Sequence, residues 1–576
     1  MYTASFAFFE ALWEAGVTHC FVNLGSDHPS ILEAMVKGQR ETPEKFPKII
    51  TCPNEMVALS AAHGMALTTG RPQAVIVHVD VGTQGLAAAI HNASMGRAPV
   101  LIFAGLSPFT IEGEMRGSRT EFIHWTQDVH NQRAIVAQYC RYTAEIKTGR
   151  NIKQMVNRAL GFAMSDPKGP VYLVGAREVM EEDIEPYGLD QSVWTPISPA
   201  ALPEQGVRSV ADALLKAKDP LVITGYSGRE RGSVEELVKL ADSTGARVLD
   251  TLGSDMCFPS DHRGFLGVMY GVHEKIEQAD VILLLDVDIP YIHTRCKPKA
   301  EAQIFHIDVD PLKYQMPVFY VAAKERYRAD ATTALKQLNA YIATQNVKAN
   351  EARISELDQE HKARMDKLDT AEKPREDGAI SGPFLIGSLR DAMPKDSVFL
   401  IEAVTMTSIV LDHLKLNIPG SIYNSGAGGL GWFGGAAIGA KLGLMNTGKS
   451  KIVTAIVGDG TFLFSVPSSV YWMSRRYSVP FLTIVLNNAG WNAPRKSAQL
   501  VHPAAYTASA TNSELNISFD PSPDYAGIAM AAAGGQIYGA TVKTVKELGV
   551  KLKEAISAVE SGRSAVLECY IVGSGF

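Results

Sequence analysis

The sequence predicts an α/β protein built from three doubly wound, parallel-sheet units, and three observations carry that expectation. Short apolar, β-branched runs alternate with helix-length segments over residues 1–185, again over 206–345, and again over 381–576. Several of these runs end in turns rich in Gly, Asp, Asn or Ser, at the strand edge where open α/β sheets present ligand-binding groups. A length of 576 residues, 46% hydrophobic and 20% charged, provides core for three or four globular domains.

In the first unit, Phe6–Ala15 reads as a helix and Cys20–Leu24 as a short strand. The turn Gly25-Ser26-Asp27-His28-Pro29 leads into a helix from Ser30, with Ser26 or Asp27 placed to cap it and Pro29 in its first turn. Ile49–Cys52 is a strand, and Glu55 opens a helix to Thr69. Ala74–Val79, which contains His78, is a strand ending in a Gly-rich turn at Gly82–Gly85, and Pro99–Ala104 is the next strand. A polar, Pro-rich stretch, Glu185–Gln205, reads as a linker.

The central unit has strands at Leu221–Thr224, Arg247–Leu249, Val281–Leu285 and Ile304–Ile307. Its turn Gly225-Tyr226-Ser227-Gly228 lacks the GxGxxG fingerprint, which disfavours a nicotinamide dehydrogenase. The highly charged residues 346–380 read as a solvated helix leading into the third unit.

The third unit holds the most informative stretch. Lys451–Val457 reads as a buried strand ending in Gly458-Asp459-Gly460-Thr461, and Phe481–Leu486 as the next strand, ending in Asn487-Asn488-Ala489-Gly490. Either motif alone is more simply a turn or a strand cap. Together they place Asp459 and Asn488 at the same edge of neighbouring strands. A carboxylate, an amide oxygen and a loop carbonyl from Gly490 are hard donors that suit an octahedral Mg²⁺ also bound by diphosphate oxygens.

Composition excludes several classes. A net charge of −6 leaves no footprint for nucleic acid or an anionic membrane. Six scattered cysteines without a CxxC pair fit reduced thiols in a cytoplasmic protein. The N-terminal stretch lacks a basic segment and is interrupted by Glu10 and Glu14, so it reads as an amphipathic helix and not a signal peptide. Gly426–Met445 is apolar but glycine-rich and carries Lys441, so it is not expected to cross a membrane.

This arrangement resembles the thiamine diphosphate (ThDP) enzymes of the benzoylformate decarboxylase, acetolactate synthase and pyruvate decarboxylase group, over nearly the whole chain. The resemblance implies a pyrimidine-binding first unit, a central unit and a diphosphate-binding third unit. Pro53-Asn54-Glu55-Met56-Val57-Ala58 is similar to the segment around the family's catalytic glutamate. Glu55 would bond N1′ of the aminopyrimidine and favour the imino tautomer that takes the C2 proton. Tyr423–Gly431 resembles the loop that holds the aminopyrimidine. There the backbone of Gly428 would take the 4′-amine and Leu430 would keep the cofactor bent. Gly458, Gly460 and Thr461, with Glu402 and Thr405 from a neighbouring strand end, would line the diphosphate pocket.

Within the group the local likeness is to benzoylformate decarboxylase. It implies substrate-carboxylate or proton-transfer roles for Ser26, His78 and His293, with His28 and Gln127 as further candidates. The paired histidines of pyruvate decarboxylase are replaced here by Val81-Gly82, and Asp288-Ile289-Pro290-Tyr291 stands where the FAD-bearing relatives have an Arg-rich strand end, which disfavours FAD. The implied activity is a ThDP- and Mg²⁺-dependent decarboxylase or carboligase, a lyase or transferase, working through a ylid and an enamine. Its substrates would be a 2-oxo acid and, for ligation, an aldehyde or second 2-oxo acid. Alternatives are a ThDP-binding homologue without strong turnover and a flavin or nicotinamide oxidoreductase on similar units. The resemblance also implies a homodimer or homotetramer with each site shared between two chains.

Overall fold

In the computed structural model of the chain, the described residues are 2–345, 351–449 and 451–572, and each of the three units contains one sheet. The first sheet is formed by β1 (His19–Val22), β2 (Lys48–Thr51), β3 (Gln73–Val77), β4 (Val100–Leu106), β5 (Tyr142–Ile146) and β6 (Val171–Ala176), in the order 2-1-3-4-6-5. The second is formed by β7 (Pro220–Thr224), β8 (Arg247–Asp250), β9 (Phe265–Val268), β10 (Val281–Leu285), β11 (Gln303–Asp308) and β12 (Glu325–Arg328), in the order 12-11-10-7-8-9. The third contains β13 (Ile380–Ser381), β14 (Val398–Glu402), β15 (Ile422–Tyr423), β16 (Val453–Gly458), β17 (Leu482–Asn487), β18 (Tyr538–Val542) and β19 (Ala565–Val572). Its order is 13-19-17-16-14-15, with β18 also beside β19.

The strand pairs at the heart of these sheets, including β3–β4, β7–β10 and β16–β17, are parallel. The apolar runs follow from that geometry. Strands β3, β7, β10 and β17 are buried at every residue, as expected where helices cover both faces of a sheet.

Three local expectations are corrected. Neither Ser26 nor Asp27 caps the helix Pro29–Glu41. His28 occupies the N-cap position without a side-chain bond to the helix, because the Asp27 carboxylate is taken by His78 and the Val79 N–H. Gly82–Gly85 is not an open turn but the end of a short helix, Val79–Gly85, closed by the Thr83 hydroxyl donating to the Val79 carbonyl. Of the charged stretch 346–380, residues 346–350 lie outside the described residues, and the helix Glu351–Ala371 is not simply solvated. It docks on the central unit through buried Leu357, through Glu356 and Glu360 on Arg247, and through Arg353 on Asp219.

The first and third units share a core. The helix Glu55–Thr69 packs along the helix Trp432–Asn446, and both are apolar around most of their circumference, as helices buried between two sheets must be. Small residues set the spacing. A methyl group on Gly439 would overlap the Ala61 carbonyl, and one on Gly64 would overlap the backbone of Ala436.

The central unit is locked to the first by Arg97. Its guanidinium bridges Asp286 at 2.5 Å and Asp288 at 2.9 Å and lies 4.0 Å over the Tyr226 ring. The Tyr226 hydroxyl in turn donates to the Met95 carbonyl at 2.9 Å. These groups take up the carboxyl rim of the central sheet, the crevice in which doubly wound sheets bind ligands. Among the described residues, no helix is long and apolar enough to cross a membrane.

Candidate functional site

Strand β16 delivers Asp459 to the carboxyl edge of the third sheet, and β17 delivers Asn487 and Asn488 beside it. The Asp459 carboxylate accepts from the Gly460 N–H at 2.7 Å on Oδ1 and from the Gly490 N–H at 2.9 Å on Oδ2. Burial pushes its proton affinity up to about 6, against the pull of those backbone donors. The two asparagines divide the work. Asn487 is structural: its amide donates to Glu568 at 2.8 Å and Ser522 at 3.0 Å, and its oxygen accepts from the Ala489 N–H. Asn488 Oδ1 is buried and has no hydrogen-bond partner.

A buried amide oxygen without a donor is costly unless something electropositive occupies the space in front of it. Beside it, Asp459 retains unused lone pairs. Among the described residues, no group of three or more His, Cys, Asp or Glu side chains is arranged to hold a metal ion. A cation here would therefore rest on one carboxylate and neutral oxygens, with the remaining ligands coming from phosphate and water. That donor set fits Mg²⁺ carried in with a diphosphate.

Around these groups lies a cavity of about 340 Å³. Gly458, Asp459, Gly460, Thr461, Asn488 and Gly490 line one side, and Thr405, Gly428 and Leu430 another. Phe464 and Trp491 form an apolar edge that the sequence reading did not single out. Gly460 is required by close approach, since a Cβ there would collide with the Trp491 ring. All the lining residues belong to the third unit, and Glu55 is not among them.

Glu402 differs from expectation. It ends β14 at the same rim but does not line the cavity. Its carboxylate turns to the start of the helix Trp432–Asn446 and accepts from the N–H groups of Gly431, Trp432 and Phe433. Those donors are the ones a helix N-terminus leaves without partners, so they draw in the carboxylate. Burial pushes Glu402 up to about 8, opposed by the same donors.

In the first unit, Glu55 opens its helix after Asn54, whose side chain caps it at the Val57 N–H, 3.1 Å away. Gly85 makes room for the Glu55 side chain, since a Cβ there would come within 2.7 Å of Oε2. Ser26, His28, His78 and Gln127 come together at one end of this sheet around a residue that sequence reasoning treated only as a cap, Asp27. The Asp27 carboxylate bonds His78 Nδ1 and lies 3.3 Å from His28 Nε2, while His78 Nε2 bonds Gln127 Oε1 at 2.9 Å. Burial opposes charge on His78, but the Asp27 bond outweighs it and raises its proton affinity. His28, fully buried, is pushed the other way by desolvation.

Ser26 Oγ lies 3.3 Å from His124 Nε2, and Arg177 Nη1 reaches the same nitrogen at 3.4 Å. The Gln127 amide nitrogen is buried without a partner. His293 stands apart, exposed among Tyr291 and Tyr320 of the central unit, with ring centroids 5.0 and 5.4 Å away. Asp27 was hidden in the sequence because a turn acid before Pro29 has an ordinary explanation as a cap.

Comparison with known proteins places the three units in one family. The N-terminal TPP binding domain of thiamine pyrophosphate enzymes matches residues 2–135, their central domain residues 207–338, and their C-terminal TPP binding domain residues 403–569. The chain is 24% identical to a benzoylformate decarboxylase of Pseudomonas aeruginosa, over 86% of this chain and 88% of that protein. It is also 24% identical to a probable acetolactate synthase large subunit of Methanocaldococcus jannaschii, over 88% of this chain and 83% of that one. The crystal structure of a benzoylformate decarboxylase from Polynucleobacter necessarius shares the fold, with a TM-score of 0.80, 19% identity and 99% of each chain covered. With three matched domains spanning most of its length, the chain belongs to the thiamine pyrophosphate enzyme family.

Proposed function

We propose that the protein is a ThDP- and Mg²⁺-dependent 2-oxo acid decarboxylase or carboligase. The observation that carries this reading is the buried, unpartnered Oδ1 of Asn488, in a cavity that Asp459, Gly428 and Leu430 also line. Bound there, ThDP would supply a nucleophilic carbon for the acyl group and a cationic ring as sink for the electron pair left behind by CO₂.

The chain's own residues do the rest. Asp459, Asn488 and the Gly490 carbonyl would hold the metal ion, and Gly458, Gly460, Thr461 and Thr405 would line the diphosphate. The Gly428 backbone would accept from the 4′-amine, and Leu430 would support the cofactor. Glu55 would bond N1′ and hold the shared proton there. Ser26, His28, His78 and Gln127 receive the substrate carboxylate and move protons. With Asp27 raising its proton affinity, His78 is the cation best placed to face that carboxylate. His293 completes the set only if the assembly brings the central unit to the same site.

The cavity walls come from the third unit alone, so Glu55 is supplied by a second copy in a homodimer, which a pair of dimers extends to a tetramer. Exposed apolar side chains accord with such an interface: Val404, Phe464 and Trp491 near the cavity, and Val81 on the first unit. Free cysteines throughout suit a reducing, cytoplasmic setting.

The test is CO₂ release from pyruvate, benzoylformate and branched 2-oxo acids, with and without an acceptor aldehyde. Release that requires both ThDP and Mg²⁺ is expected. An aldehyde product would mark a lyase, and a hydroxyketone a transferase. No turnover of any 2-oxo acid under these conditions would overturn the reading.

A further inference from the structure

Leu430 is gripped from both sides by residues that do not themselves line the cavity. On its amino side, Asn92 of the first unit makes a reciprocal pair with Gly429. Its Nδ2 donates to the Gly429 carbonyl at 2.8 Å, and its Oδ1 accepts from the Gly429 N–H at 3.0 Å. On its carboxyl side, Glu402 accepts from the N–H groups of Gly431 at 2.7 Å, Trp432 at 3.4 Å and Phe433 at 2.8 Å. Gly431 has φ = 94°, a conformation that strains any residue with a Cβ, and its α-carbon is packed against the end of the helix Asp459–Phe464.

The segment Gly426-Ala427-Gly428-Gly429-Leu430-Gly431 is thus glycine-rich and, left to itself, would sample many backbone states. Asn424 and Ser425 tie down its start at Gly426 and Ala427, and the fixed points on either side of Leu430, residues 429 and 431, give that side chain one position. Asn92 is a polar residue, 1% exposed, on the helix Ala87–Met95, among buried Ala89, Ile90 and Ala93. A buried amide needs partners, and both of its hydrogen-bonding groups are spent on Gly429.

We propose that Asn92 and Glu402 are positioning residues that clamp Gly429 and Gly431, presenting Leu430 to the cavity in one conformation and so setting how ThDP is seated for loss of its C2 proton. This rests on the ThDP reading above. Neither residue touches the reacting atoms; both act through Leu430. Asn92 belongs to the first unit, so the cofactor loop of the third unit is held in part by the packing between units.

The test uses the full-length protein with ThDP and Mg²⁺, and compares wild type with Leu430→Ala, Asn92→Ala, Glu402→Gln and the double variant Asn92→Ala/Leu430→Ala. Deuterium exchange at C2 of bound ThDP is followed by quenched-flow NMR, and ThDP affinity by calorimetry. Leu430→Ala is expected to slow exchange. Asn92→Ala and Glu402→Gln should each slow it by about 10-fold to 100-fold, the scale of a misplacement near 1 Å, while ThDP affinity changes less than about threefold. The double variant should be no slower than Leu430→Ala alone, because both changes remove the same support.

Wild-type exchange in Asn92→Ala alongside slow exchange in Leu430→Ala would overturn the clamp, as would fully additive losses or a fall in thermal midpoint without any change in exchange. If Glu402→Gln does not fold, Asn92→Ala and the double variant still decide the matter. A wild-type protein that binds no ThDP would instead overturn the cofactor reading, and the clamp with it.

Discussion

The indole N–H of Trp432 donates to Nδ1 of His63 at 3.1 Å, and this bond joins the helix that opens with Glu55 to the helix that follows Leu430. Both side chains are fully buried. Because Nδ1 accepts, His63 carries its proton on Nε2 and is neutral. Burial, with Arg229 adding to it, pushes the imidazole down to about 3.

Stability should therefore depend on pH through His63. The folded chain binds one proton fewer than the unfolded chain between the ordinary histidine value of 6.5 and about 3. This contribution is fully present above pH 6.5 and is lost as pH falls, with a slope approaching about 1.4 kcal/mol per pH unit. His63→Gln still offers an oxygen to Trp432 but does not titrate. Urea midpoints at pH 7 and pH 5 should show a larger drop for wild type than for the variant. Equal drops would mean that His63 is protonated in the folded state.

Packing between the same two helices offers a second check. Gly439→Ala places a methyl group on the Ala61 carbonyl, where only backbone movement can relieve the overlap. A loss of about 2 kcal/mol or more is expected, within the range for overpacked cores. Gly549→Ala, on the exposed face of the helix Val545–Glu560 with open space where its Cβ would go, should be neutral or stabilising. Similar chemical denaturation curves for both variants would contradict the close approach.

On the proposed reading, Asp459→Ala should abolish retention of ThDP with Mg²⁺, because the cavity would lose the one carboxylate that lines it. Calorimetry is the measurement. Wild-type affinity in that variant would remove Asp459 from the metal site.

Glu55→Gln should keep the cofactor but lose most of the proton exchange at C2. An amide can still bond N1′, yet it cannot share the proton that favours the imino tautomer. Exchange at the wild-type rate would take Glu55 out of the reaction.

Mixing the two inactive variants tests the assembly. If each site combines Glu55 of one chain with Asp459 of another, a mixed dimer holds one doubly damaged site and one intact site. Part of the activity should then return as subunits exchange. Proven exchange without recovery would place both residues of a site in one chain.

Much of this molecule was legible in one dimension. Strand β16, its Gly-Asp-Gly end, β17 and the paired asparagines are local signals, because apolar runs of strand length and the glycines that end them report directly on backbone geometry. The helix Glu55–Thr69 was readable to the residue, since Asn54 caps its start and Gly70, at φ = 67°, ends it. What the tertiary structure decided are the side chains whose partners lie far away in sequence. Glu402 sits at the expected rim yet turns to a helix start some thirty positions on, and Asn92 reaches Gly429 across 337 positions. Asp27 became the hub of the histidine cluster only when β3 brought His78 beside it. Strand and helix periods follow from a residue's neighbours in the chain. The partner of a buried polar group follows from which elements pack together, and it is fixed by the cost of leaving that group unpaired.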